Sequence, residues 1–244
     1  MTEAYTFERL TPAMEICVSP EHRFGTDAFL LADFSAPRGI DRVCDLGTGC
    51  GIIPMLMSRT RPPKQLYGVD IQPEAIAQFR LSLERSGISH IEPVCADLNS
   101  LWPEAPLGEL DLVTCNPPYK APDCGLESAV PAHRIARHEV LCTVEDVCRA
   151  GDKLLKFGGR LCLCNRPERL ADVISAMKAC RIEPKRIRFV SKTPTEAPWL
   201  FLIEGRKGGK PFMKILPQLY VYTDNGEFTD EMLRIYGKEG NHGG

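Results

Sequence analysis

Arg42-Val43-Cys44-Asp45-Leu46-Gly47-Thr48-Gly49-Cys50-Gly51-Ile52-Ile53-Pro54-Met55-Leu56-Met57 decides the fold of this 244-residue chain. Arg42 to Leu46 reads as a short buried strand. The glycines then permit positive φ and close backbone approach to a ligand. The apolar run from Ile52 reads as a helix, with Pro54 tolerated in its first turn. A strand, a glycine loop and a helix in succession open an α/β sheet.

The unit recurs downstream. Leu66-Tyr67-Gly68-Val69-Asp70 is a second strand ending in a carboxylate. Pro73 opens a helix with Ile76, Phe79 and Leu83 on one face, and Gly87 ends it. Ile91 to Asp97 is a third strand, again finishing at an acid, and Leu110 to Cys115 is a fourth that runs into Asn116-Pro117-Pro118-Tyr119. Thr143-x-x-Asp146 starts a helix whose apolar face carries Val144, Val147, Cys148, Leu154 and Leu155. Gly159 to Cys164 is a fifth strand, and a helix with Leu170, Val173, Ile174 and Met177 follows. Strands near 185–190 and 199–204 lie too close together for a long helix between them, which predicts an antiparallel edge hairpin. Upstream, weak alternation at Glu15-Ile16-Cys17-Val18 predicts a strand or hairpin arm within residues 1–24. Thr26 is expected to N-cap a helix that ends before Pro37. The expected fold is α/β, Rossmann-like and doubly wound, with a mostly parallel seven-stranded sheet carrying that antiparallel edge hairpin. One domain is expected over 1–236, with a Gly-rich disordered tail at 237–244.

Composition narrows the class. With 43% hydrophobic and 25% charged residues, the chain has the make-up of a soluble globular protein. It has no apolar run of the roughly 18 residues that a membrane span needs, and its first residues lack a signal-peptide pattern. A cytoplasmic location is expected. The 11 cysteines include no Cys-x-x-Cys pair, so Cys44, Cys95, Cys115, Cys162 and Cys164 read as small buried hydrophobes. Neither disulfides nor a metal site are expected. The net charge of −2 excludes a uniformly basic nucleic-acid binder. Charge is uneven, however: residues 181–214 hold nine Lys/Arg against three Glu, a local 9 − 3 = +6.

The chemistry-bearing residues sit at strand ends, where such sheets bind ligands. Asp45 and the glycine loop follow the first strand, Asp70 ends the second, Asp97 the third, and Asn116 the fourth. Asp70 suits the two hydroxyls of a ribose, and Asp97 suits an adenine amino group. A pyrophosphate-binding loop would read Gly-x-Gly-x-x-Gly. This loop is Gly-x-Gly-x-Gly with Asp45 before it, an acid that repels phosphate and suits an ammonium or sulfonium. In Asn116-Pro117-Pro118-Tyr119, the prolines hold the preceding carbonyls in an extended turn. Asn116 offers a side-chain acceptor and Tyr119 a flat aromatic face, a fit for a planar molecule bearing an exocyclic –NH2.

Taken together, Asp45-Leu46-Gly47-Thr48-Gly49-Cys50-Gly51, Asp70, Asp97 and Asn116-Pro117-Pro118-Tyr119 resemble the class I S-adenosylmethionine-dependent methyltransferases. More narrowly, Phe24-Gly25-Thr26-Asp27-Ala28-Phe29-Leu30-Leu31 and Leu202-Ile203-Glu204-Gly205-Arg206-Lys207-Gly208-Gly209 resemble the bacterial tRNA-valine adenine-N6-methyltransferases. The resemblance implies S-adenosylmethionine as cofactor, with contacts at Thr26, Asp27, Asp45, Gly47, Thr48, Gly49, Gly51, Asp70, Ile71, Asp97, Leu98 and Asn116. It implies a tRNA anticodon stem-loop as partner and N6 of the adenosine 3′ of the anticodon as acceptor. Asn116 and the Pro117 carbonyl would accept the two N–H bonds while Tyr119 stacks on the base. Arg206, Lys207 and Lys210 are the expected contacts to RNA backbone, from their charge. Arg134, Arg137 and His138 would either cover the pocket or form an exposed helix start. The competing reading within enzymes is methylation of a protein glutamine amide, since release-factor methyltransferases share Asn-Pro-Pro-Tyr. A small-molecule or DNA amino group ranks third, and outside enzymes the alternative is a binding module that has lost the chemistry.

Overall fold

The computed structural model describes residues 5–59, 62–100, 107, 109–117 and 142–238. An antiparallel hairpin of β1 (Thr6–Thr11) and β2 (Met14–Val18) precedes the main sheet and forms a sheet of its own. Next come α1 (Thr26–Ser35), β3 (Arg42–Leu46), α2 (Ile52–Met57), β4 (Gln65–Asp70), α3 (Pro73–Arg85) and β5 (Ile91–Cys95). Then follow β6 (Leu110–Cys115), α4 (Val144–Leu154), β7 (Leu155–Asn165), α5 (Leu170–Ala179), β8 (Ile182–Ser191) and β9 (Leu200–Lys207). Two-residue strands β10 (Lys214–Ile215) and β11 (Leu219–Tyr220) and the helix α6 (Asp230–Tyr236) complete the order. Among the described residues no helix is long and apolar enough to cross a membrane.

The main sheet runs β10-β8-β9-β7-β6-β3-β4-β5, with β11 also on β8. From β3 the chain steps outward through β4 to β5, then returns to place β6 on the other side of β3, all in parallel. That reversal opens a crevice between the carboxyl ends of β3 and β6. β9 is antiparallel to both β7 and β8, so the expected hairpin is present. The seven long strands match the expectation. β10 and β11 are additions, laid parallel along Arg186–Ile187 and Val190–Ser191 of β8. They cover the sheet edge beyond β8. Pairs this short carry no periodicity to read.

Each face of the sheet buries its own layer. Val43, Leu66, Leu112, Cys162 and Leu202 pack with α1, α2 and α6. Cys44, Val113, Leu161 and Ile203 pack with α4 and α5. These alternate positions along each strand follow the period of two. Ionic contacts tie α1 to the sheet: Arg160 and Arg186 donate to the Ser35 and Phe34 carbonyls and share the buried Glu204 carboxylate. The capping box is formed, Thr143 Oγ1 accepting from Asp146 N and Asp146 Oδ2 from Thr143 N. Thr26, in contrast, does not cap α1. Gly25 is the N-cap without a side-chain bond, and Thr26 Oγ1 instead meets the Tyr236 hydroxyl at 2.9 Å, tying α1 to α6. Cys44, Cys115, Cys162 and Cys164 are buried as expected, whereas Cys95, at the last position of β5, is exposed. Residues 239–244 of the expected tail lie outside the described residues.

Candidate active site

Residues at the carboxyl ends of four parallel strands line one crevice. Thr48 N donates to Val69 O and Gly49 N to Asp70 Oδ2, so the loop after β3 is held by the end of β4. Asp70, 7% exposed, has its other oxygen on Gln72 N at 3.0 Å. Gly49 and Gly51 adopt φ of +55° and +83°, a region L side chains avoid. At Gly51 a Cβ would also lie 2.0 Å from the ring of the fully buried Phe79. This glycine lets the loop close onto α3.

A cavity of about 280 Å³ fills the crevice, and Gly47, Gly49, Asp70, Ile71, Asp97, Leu98, Asn116 and Pro117 line it. Asp97, half-buried, accepts from Asn99 N at 2.9 Å. Two carboxylates with acceptor capacity to spare, backbone exposed by glycines, and the apolar Ile71 and Leu98 suit a nucleoside bearing hydroxyl and amino donors. These residues fit S-adenosylmethionine.

Thr26, Asp27, Asp45, Thr48 and Gly51 do not line this cavity. Asp45 is 1% exposed in the middle of the sheet, between Gly68 of β4 and Thr114 of β6. Thr114 Oγ1 donates to its Oδ1 at 2.7 Å, and its Oδ2 is buried. Burial pushes this carboxyl up to about 7, against hydrogen bonding by Thr114 and Thr48, which lowers it. Asp27 reaches Asn116: Asn116 Nδ2 donates to Asp27 Oδ2 at 3.0 Å. Cys164 Sγ donates to Asn116 Oδ1, also at 3.0 Å.

Glu21, His22, Arg23, Cys50, Gln72 and Cys142 also line the cavity and were not anticipated. The first three arrive because α3 grips the preceding segment. Gln78 Nε2 donates to the Cys17 and His22 carbonyls, and Ser82 Oγ accepts from Cys17 N. A buried Gln and Ser on the helix face toward β2 were the available signal. Cys50 and Cys142 are pushed up to about 12 by burial, so both stay thiols.

Arg206, Lys207 and Lys210 are not beside Asn116. Asn165 at the site end of β7 faces Phe201, while Arg160 faces Arg206. Five residues of strand, roughly 17 Å, separate the two levels, and Arg206 stands at the far end of the sheet. Lys207 is spent internally, its Nζ donating to the Asp152 and Leu155 carbonyls. Much of the +6 excess is engaged likewise: Arg181 pairs with Asp152, Arg186 with Glu204, and Arg188 with Glu231. Arg206 and Lys210 are exposed. Tyr119, Arg134, Arg137 and His138 lie outside the described residues.

Residues 24–177 match the model of the methyltransferase small domain. A relative from Porphyromonas gingivalis, named tRNA1(Val) (adenine(37)-N6)-methyltransferase, is 28% identical over 96% of this chain and 93% of its own length. One of the same name from Parabacteroides distasonis is 27% identical over 82% of both chains. A solved Agrobacterium tumefaciens structure described as a predicted O-methyltransferase superposes with a TM-score of 0.71 at 24% identity, over 88% of this chain and 97% of that one. That last likeness speaks for the fold. With strand-end acceptors around one crevice and a match over most of its length, the chain belongs to the methyltransferase small domain family and is an S-adenosylmethionine-dependent methyltransferase.

Proposed function

We propose that the protein methylates N6 of an adenosine in the anticodon loop of a tRNA, position 37 of tRNA1(Val), the reaction named for its relatives over nearly the whole chain. The observation that carries the proposal is the position of Asn116. It follows β6 directly, lines the same cavity as Asp70 and Asp97, and has its amide held from both ends.

S-adenosylmethionine, when bound, supplies an electrophilic methyl on a cationic sulfur. Asp70 would hold its ribose hydroxyls and Asp97 its adenine amino group, with the glycine loop against the remainder. Asn116 Oδ1 and the Pro117 carbonyl accept the two N–H bonds of the substrate amino group. They raise electron density on its nitrogen and aim the lone pair at the cofactor. Tyr119 provides the stacking face that the family resemblance assigns to it. Positioning of this kind supplies most of the acceleration. An anticodon loop offers its base at lower unstacking cost than a duplex does.

The test is transfer of labelled methyl to tRNA by wild type and by Asn116→Ala, followed by digestion to nucleosides. Label in N6-methyladenosine is expected with wild type. The variant should lose on the order of 10²-fold or more in rate, as when a positioned hydrogen-bonding group is removed from an active site. Label in a release factor and none in tRNA would replace this reading with the protein-glutamine one.

A further inference from the structure

We infer that Asp27 is a positioning residue for Asn116, setting which end of its amide faces the substrate; this rests on the catalytic reading of Asn116 above. An Asn amide can sit in two orientations half a turn apart, and only one offers its oxygen to an incoming amino group. Asp27 Oδ2 accepts from Asn116 Nδ2 at 3.0 Å. Turning the amide over would set two acceptor oxygens against each other at that distance, with no proton between them. The Cys164 thiol donates to Oδ1 at 3.0 Å, but a thiol both donates and accepts weakly, so by itself it discriminates little. The carboxylate selects the orientation. Its hydrogen bond also polarises the amide, strengthening Oδ1 as an acceptor.

The surroundings hold Asp27 for this task. Its Oδ1 accepts from Ala28 N at 3.0 Å in the first turn of α1, where a helix favours a carboxylate. Thr26, next to it, is tied to Tyr236 of α6. Gly25 leaves room for the carboxylate to turn back: a Cβ there would lie 2.7 Å from Asp27 Oδ1. Asp27 is absent from the cavity lining, whereas Asn116 is part of it.

The experiment compares wild type, Asp27→Ala, Asp27→Asn, Asn116→Ala and Asp27→Ala/Asn116→Ala. Cofactor Kd is measured by calorimetry, kcat and KM on tRNA by methyl transfer, and the Asn116 side-chain amide by ¹⁵N NMR, assigned by its loss in Asn116→Ala. In Asp27→Ala, kcat should fall 10- to 100-fold, while cofactor Kd and tRNA KM stay within about threefold. Asp27→Asn, whose carbonyl can still accept from Nδ2, should recover part of kcat. The double variant should be no slower than Asn116→Ala. The Asn116 amide protons, slow to exchange in wild type, should exchange faster in Asp27→Ala. A weakened cofactor Kd with kcat retained, or additive losses in the double variant, would overturn the inference. So would an amide signal indifferent to Asp27. The amide signal needs no substrate, so it decides the role of Asp27 even if wild type leaves tRNA unmodified, a result that would sink the proposed substrate instead.

Discussion

Replacing Asp45 by Asn should change how stability depends on pH. Asp45 is 1% exposed, and burial lifts its carboxyl from 3.8 to about 7. Below 3.8 the carboxyl is protonated in both the folded and the unfolded chain, and stability is at its fullest. As pH rises from there, the unfolded chain ionises while the folded one keeps its proton, so stability falls until both are ionised above about 7. A shift of about 3 units corresponds to about 4 kcal/mol in total, at 1.36 kcal/mol per unit. About 2 kcal/mol of that loss falls between pH 5.5 and pH 8. Asn cannot titrate, and its side-chain oxygen still accepts from Thr114, which donates to Asp45 Oδ1 at 2.7 Å. The stability of Asp45→Asn minus that of wild type should therefore grow by about 2 kcal/mol from pH 5.5 to pH 8. Taking the difference cancels the titration of groups that do not interact with Asp45. Urea unfolding of the cofactor-free proteins, followed by circular dichroism at both pH values, measures it. A difference that stays constant across this range would refute the reasoning and mean that Asp45 ionises as freely folded as unfolded.

Gly51→Ala should lower stability by about 2 kcal/mol or more, since φ is +83° and the new methyl would meet the Phe79 ring at 2.0 Å. Thermal unfolding reads this directly, and an unchanged midpoint would show that the loop moves freely off α3. We further propose that Arg206 and Lys210, at the far end of the sheet, contact RNA backbone remote from the methylated base. Arg206→Ala/Lys210→Ala should then raise the tRNA Kd severalfold and flatten its salt dependence by up to two counterions, leaving kcat unchanged. Identical salt slopes for variant and wild type would remove these two residues from the RNA surface.

The sequence by itself determined the order of elements and the places where chemistry can occur. Strand and helix periods, the glycine loop and the Thr143–Asp146 capping box depend on neighbours a few residues away, so they are legible in a line of residues. For the same reason Asp70, Asp97 and Asn116 could be set at strand ends, and topology then brings those ends to one crevice. What each side chain does there was decided by tertiary structure. Asp27 and Asn116 are 89 positions apart, and their hydrogen bond exists only because α1 packs beside the end of β6. Asp45 accepts from Thr114 within the sheet, a matter of which strands flank β3. Glu21 to Arg23 reach the cavity because Gln78 and Ser82 of α3 hold the segment before them. The antiparallel run of β9 sends Arg206 and Lys210 to the end of the sheet opposite Asn116. Charge counting alone could not show this, because strand direction is set by pairing between distant segments.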